Sequence, residues 1–411
     1  MEQISFFQNP SAAPSPDDAQ FGMHVAERAL RFARSLPDYS PTPLRRLDRL
    51  AHALHLGALH VKDESLRFGL NSFKALGGSY AVACALGERL GLEDNIPTLP
   101  YLASDAVQRQ LDGVALVTAT DGNHGRGIAW TARQLGLPCT VYMPRGTAAA
   151  RVGHIRRLGA EVIVTDCTYD DTARMARRAA EQHGWLLAQD TTFPGYETFP
   201  RRCMEGYTGM AHEAMLQHEC SCGRPTHVFI QCGAGSLAGA VAAYFSSVYG
   251  SERPILSVIE AQNCACMKAT AEAGAPRICT GGLETIMAGL SVGEPCTVAW
   301  NALHTAADFF FECPDDVTEL GMKLLANPSP LDPAIVSGES GAVGVGLVTA
   351  LMTDAELADM RQALGLGPDS RVLCFSTEGD TDHESWERIV NRPFLAPEPP
   401  EEEPSAEDIQ E

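Results

Sequence analysis

The chain has 411 residues, 45% of them hydrophobic and 20% charged, which suits two compact domains of a soluble globular protein and excludes disorder of the whole chain. Its 31 Lys and Arg against 52 Asp and Glu leave a net charge of −21, a surface that repels phosphate backbones and anionic lipid heads, so neither nucleic acid nor membrane is an expected partner. Thirteen cysteines are too dilute for a disulfide scaffold; the pairs Cys220/Cys222 and Cys264/Cys266 are C-x-C rather than the C-x-x-C of usual zinc sites, and no metal site is expected.

The opening segment, MEQISFFQNPSAAPSPDD, has neither a basic start nor a long apolar run, and no stretch reaches the ~18–20 apolar residues of a membrane span. It reads as the start of an arm that packs only partly, in a cytoplasmic protein. From about residue 59 short β-branched runs alternate with helix-length segments, the pattern of βαβ units and a parallel sheet. Seven strands are expected: LHVKDES at 59–65, then 115–120, 139–144, 161–165, 226–231, 254–261 and 371–376. The apolar spacing of 127–136 and 172–184 predicts amphipathic helices.

Three segments carry chemistry. In NSFKALGGSYAV (71–82), Lys74 opens a helix among small residues. An isolated lysine is ordinarily a solvated surface residue, but apolar, glycine-rich surroundings disfavour the ammonium and prepare a neutral amine for Schiff-base chemistry. In TATDGNHGRGIAW (118–130) a strand enters a helix through Gly122 and Gly125, where free N–H groups can hold an anion and Asn123 projects an amide. In FIQCGAGSLAGAVAAY (229–244), Gly233, Ala234, Gly235, Ser236 and Leu237 offer successive N–H groups, and Ser236 a hydroxyl, to a phosphate at a helix N-terminus. A G-x-G loop is a weak signal by itself: Glu260 falls near the spacing of a ribose ligand, so a dinucleotide loop stays open on this motif.

In combination, N-S-F-K, D-G-N-H-G, G-A-G-S-L and S-T-E-G-D occur in the order found in the fold type II pyridoxal-phosphate enzymes, and the chain resembles them over residues 40 to 390. Within that group it is most similar to the diaminopropionate ammonia-lyase family, through NSFKALGGSYA, TDGNHGRG, QDTTFPGYE (189–197), TIMAGLSVGEPC (285–296), SGESGA (337–342) and STEGDTD (376–382).

The resemblance implies an α/β fold of two three-layer α/β/α domains with pyridoxal phosphate in the interdomain cleft. The implied division is an arm over 1–40, a larger cofactor-binding domain over 41–115 and 224–390, a smaller domain over 116–223, and a tail over 391–411, whose Pro-rich, acidic composition predicts disorder. It further implies Lys74 as the covalent anchor, Asn123 on the 3′-oxygen, Gly233 to Leu237 around the phosphate, Ser376 facing the pyridine nitrogen, and a homodimer. Related dehydratases carry Ser where Asp121 stands. A carboxylate there suits a substrate with a second ammonium, although Asp is also a favoured helix N-cap. Asp190, a turn former by default, becomes by resemblance a second carboxylate facing that amine. The implied reaction is elimination of ammonia from 2,3-diaminopropionate, catalysed by Lys74, Asp121 and Asp190. The alternatives are a serine or threonine dehydratase on the same fold and a non-catalytic cofactor-binding protein.

Overall fold

The computed structural model describes residues 3–92, 95–120 and 122–392. In chain order its strands are β1 Ser5–Gln8, β2 Leu44–Arg46, β3 Ala58–Asp63, β4 Leu116–Ala119, β5 Cys139–Met143, β6 Glu161–Val164, β7 Leu186–Leu187, β8 His227–Gln231, β9 Ile255–Ala261, β10 Phe309–Cys313 and β11 Arg371–Ser376. They form a seven-stranded sheet ordered β1-β10-β9-β8-β11-β3-β2 and a four-stranded sheet ordered β6-β5-β4-β7. All pairs are parallel except the two edges of the larger sheet, where β1 runs antiparallel to β10 and β2 to β3.

Strands β3, β4 and β8 are buried at every position. Helices on both faces of a parallel sheet require this, and it explains why such strands read as continuous apolar runs. All seven expected strands are present, and the structure adds β1, β2, β7 and β10. The run FFFEC of β10 carries no turn signal of its own; what makes it a strand is pairing with β9, Phe309 opposite Ser257.

The opening segment is knit into the fold more fully than an arm that packs only partly. Strand β1 closes one edge of the larger sheet, Phe6 stacks on Phe311 at 5.8 Å, and the buried Asp18 accepts a hydrogen bond from Ser246 Oγ at 2.6 Å. Packing the half-buried Phe6 on the buried Phe311 outweighs the turn-forming composition of the segment. The expected disordered tail lies, from residue 393 onward, outside the described residues.

The helix Lys74–Arg89 sits between the sheets and is gripped from two sides. A Cβ on Gly77 would fall 2.3 Å from Tyr207 Cε1, and one on Gly206, in the helix Thr198–Cys222, 2.7 Å from the Gly77 Cα. On the other side a Cβ on Gly127 would lie 3.1 Å from the Ala75 Cα. Helical glycine costs ~1 kcal/mol each relative to alanine; here it permits backbone contact that fixes where the helix, and so Lys74, begins.

Between β3 and the helix Thr198–Cys222 lies a buried ionic network. Lys62 Nζ donates to Thr42 O at 2.7 Å, Glu213 Oε2 at 2.8 Å and Gln217 Oε1 at 2.9 Å. Arg67 forks onto both oxygens of Glu64, each at 2.8 Å, and onto Glu213 at 2.8 and 3.1 Å. Among the described residues no single helix is long and apolar enough to cross a membrane.

Candidate active site

The site opens at the carboxyl ends of β8 and β11, where ligands bind in open parallel sheets because helix N-termini and loops converge there. Its walls come from both sheets. Thr120, Asn123, His124, Tyr169 and Asp190 face Gly233 to Leu237, Ser340, Thr377 and Glu378 across a cleft floored by Lys74 and Phe73.

Lys74 is the first residue of its helix, and the loop before it is tied to the end of β11: Phe73 N donates to Thr377 O at 3.2 Å and Ser72 bridges Glu378. The ammonium is thereby held at the cleft, about a quarter exposed (24%), with Nζ 2.6 Å from Asp190 Oδ2.

Asp190 follows the short strand β7 and is itself buried (6%). Its Oδ2 lies 3.4 Å from His124 Nδ1, and His124 Nε2 lies 2.7 Å from Ala188 O. A carbonyl oxygen only accepts, so His124 Nε2 carries a hydrogen. Burial pushes the Asp190 carboxyl up, but the charges of His124 and Lys74 and the hydrogen bond from Lys74 outweigh it and hold it down to about 2. The result is a buried carboxylate anion between two nitrogen bases.

Across the cleft, Gly233 to Ser236 lead from β8 into the helix Ser236–Tyr249. The first N–H groups of a helix have no partner within it and carry the positive end of its dipole, which suits a phosphate. Gly235 is the cap, at φ +106°, a conformation side chains rarely adopt, and a Cβ there would sit 2.4 Å from Met267 Cε. Glycine is therefore required by the packing behind the loop as well as by close approach in front of it. Ser236 Oγ donates to Asp190 O at 3.0 Å, linking the glycine loop to the carboxylate segment.

Not every expected site residue reaches the cleft. Asn123 does, its amide donating to Glu378 Oε2 at 2.5 Å, and Glu378 Oε1 accepts from Ser340 N at 3.0 Å. Ser376 stands behind the wall, fully buried, donating to Ser337 Oγ at 2.8 Å. Successive strand residues face opposite ways, and here it is the next residue, Thr377, that lines the cleft, its hydroxyl accepting from Gln231 Nε2 at 2.8 Å. Asp121 lies outside the described residues. Sequence reasoning assigned no role to Tyr169, Gln231, Thr377 or Glu378. Thr377 and Glu378 stand within the quoted STEGDTD motif, whereas nothing local marks Tyr169 or Gln231.

These residues fit pyridoxal phosphate. The amine of Lys74 meets the chemistry of its aldehyde, the glycine-capped helix that of its phosphate, and the amide of Asn123 that of a ring oxygen. Fold and site together define a pyridoxal-phosphate-dependent enzyme of fold type II, and a family model described as pyridoxal-phosphate dependent enzyme matches residues 36–378.

Within that class the chain belongs to the diaminopropionate ammonia-lyase family. It is 43% identical to the diaminopropionate ammonia-lyase of Salmonella typhimurium over 89% of this chain and 92% of that one. A holo diaminopropionate ammonia-lyase from Escherichia coli superposes with a TM-score of 0.88 at 40% identity, over 94% of this chain and 96% of that one. The likeness to the biosynthetic threonine dehydratase of Salmonella typhimurium is lower, 29% identity over 57% of this chain and 38% of that one.

Proposed function

We propose that the chain releases ammonia from 2,3-diaminopropionate by α,β-elimination, giving pyruvate and a second ammonia on hydrolysis. The observation that carries this reading is the buried Asp190 carboxylate, anionic at neutral pH and already 2.6 Å from one alkylammonium, that of Lys74. A substrate with a second amino group presents another ammonium of the same kind to Oδ2.

Held on Lys74, pyridoxal phosphate supplies an electron sink for the charge that develops at Cα. Once the substrate's α-amino group has displaced Lys74 from the cofactor aldehyde, the freed Nζ would take the Cα proton from one face and Asp121 from the other, so that the site would handle either enantiomer. Asp190 keeps the β-nitrogen protonated until the C–N bond breaks, because a neutral amine leaves poorly. The N-terminus of the helix Ser236–Tyr249 anchors the phosphate, and Thr377, on the cleft wall, takes the position of the ring-facing hydroxyl in place of Ser376.

The test is pyruvate release from diaminopropionate, serine and threonine measured side by side. Diaminopropionate is expected to be turned over fastest by at least tenfold; equal or faster turnover of serine returns the chain to the dehydratase alternative. We further read the protein as a cytoplasmic homodimer. The dimer follows from the family resemblance, and a reducing compartment suits thirteen unpaired cysteines; sedimentation equilibrium checks the dimer.

A further inference from the structure

Glu378 lines the cleft, yet neither the motifs nor the reaction gives it work. It stands two residues beyond the end of β11 and is fixed at three points. Its backbone O accepts from Gly338 N at 2.9 Å, and it forms a bridge with Ser72, two residues before Lys74. Its Oε1 accepts from Ser340 N at 3.0 Å, in the first turn of the helix Glu339–Thr353. That turn carries free N–H groups and the positive end of the helix dipole, a favourable seat for a carboxylate. The side chain is buried and closely packed; a Cβ on Gly338 would come within 3.0 Å of its Cγ.

The other oxygen, Oε2, reaches the opposite wall. It accepts from Asn123 Nδ2 at 2.5 Å, and Asn123 is the first residue of the helix Asn123–Leu135, which follows β4 of the smaller sheet. We propose that Glu378 is a positioning residue that holds Asn123 across the cleft and aims the second N–H of its amide at the 3′-oxygen of the bound cofactor. This rests on the reading of Asn123 as the partner of that oxygen, and adds the group that orients it.

The chemistry of an amide makes such orientation necessary. An asparagine side chain can turn either its oxygen or its NH2 to a neighbour, and only the NH2 serves an oxygen anion. An ionised carboxylate accepts and does not donate, so Glu378 admits the NH2 alone. One of the two hydrogens goes to Oε2, and the other is left for the cofactor. Without Glu378 the amide is free to present its oxygen instead, which repels the 3′-oxygen. Asp380, the nearest acidic residue along the chain after Glu378, does not replace it, being engaged by Asn71 at 3.1 Å and by His383 at 2.9 Å. The contact also joins the two sheets at the point where the Lys74 loop is tied down, so the wall that carries Asn123 and the segment that carries Lys74 share one anchor.

The experiment compares holoenzymes of the natural chain, N123A, E378A and the double variant. Two quantities are read: the absorption spectrum of the bound cofactor and its rate of loss on dilution. N123A should move intensity from the visible band to the near ultraviolet, because a 3′-oxygen without a donor keeps its proton, and E378A should move it the same way. Each should hasten cofactor loss about tenfold, the worth of one charge-assisted hydrogen bond. The double variant should match N123A to within about twofold, because a residue that acts through Asn123 then has nothing to act through. Effects that multiply to about a hundredfold mark Glu378 as a wall residue with its own structural role and overturn the proposal. A band moved by N123A and not by E378A overturns it too, while leaving Asn123 on the 3′-oxygen; a band that N123A leaves in place overturns both. Should E378A lower the unfolding midpoint, E378Q carries the same comparison, since its amide keeps an acceptor for Ser340 N and cannot accept from Asn123 as well.

Discussion

Two lysines of this chain contact carboxylates at nearly the same distance, yet only one is chemically available. Lys62 Nζ is 2.8 Å from Glu213 and is fully buried, with three acceptors for its three hydrogens. Lys74 Nζ is 2.6 Å from Asp190 but opens onto the cleft. Burial outweighs the pull of Glu213 and Glu64 and leaves the Lys62 ammonium below its ordinary range, while three acceptors occupy its three hydrogens and fix it in place. Proximity to an anion is therefore no mark of reactivity. What distinguishes Lys74, the lysine proposed as the covalent anchor, is access to the cleft, together with a carboxylate partner that it shares with His124.

The comparison breaks at once if Lys74→Ala keeps turnover. Loss of about 10⁴-fold or more is expected, on the order of 5 kcal/mol in barrier, with little change in unfolding midpoint because the side chain is partly exposed. Borohydride should also fix the cofactor to the natural chain and not to this variant.

The structural lysine predicts the opposite signature. Glu213→Gln leaves Lys62 and Arg67 buried without their shared anion and should cost about 3–5 kcal/mol in urea unfolding, while folded molecules retain their kcat. A variant as stable as the natural chain would show that Glu64 alone satisfies the network.

Asp190→Asn should lower kcat/KM for diaminopropionate by about 10²-fold or more, and for any residual serine activity by much less, since serine brings no β-ammonium. Equal losses on both substrates would remove Asp190 from reading the second amine. Asp121→Asn, with the cofactor spectrum as folding control, should suppress elimination from one enantiomer only.

The smallest effect is acid sensitivity. Burial alone would raise both carboxyls, but Asp190 is held down to about 2 by His124 and Lys74, and Glu213 well below the usual carboxylate range by Arg67 and Lys62. Both lie below their unfolded values of ~3.9 and ~4.3, so the stability they contribute is complete above about pH 4.5 and is lost as pH falls towards 2. On the order of 2–3 kcal/mol per carboxylate is at stake. Unfolding free energy measured from pH 5 to 2.5 should fall, and the Glu213→Gln protein should show a shallower slope.

Much of the site was legible because its parts are local. A glycine turn between a strand and a helix announces an anion site wherever it occurs, and Lys74, Asn123 and Gly233 to Leu237 all line the cleft as their motifs implied. The order of six motifs added the family. Strands buried on both faces declared themselves as apolar runs, whereas β10 and the antiparallel edges did not, since a short edge strand is defined by its neighbour.

Facing and convergence were decided only in three dimensions. Whether Ser376 or Thr377 meets the cofactor turns on a single pleat, and a shift of one residue exchanges wall for core. His60 stands 158 residues from His218 in the chain, and no spacing rule relates them. They meet because β3 joins the larger sheet beside β11 while the helix Thr198–Cys222 ends against that same strand terminus. By itself the sequence determined which residues can do chemistry and which turns present them. Strand order determined which of them share a cavity, because tertiary packing brings together groups that no local pattern connects.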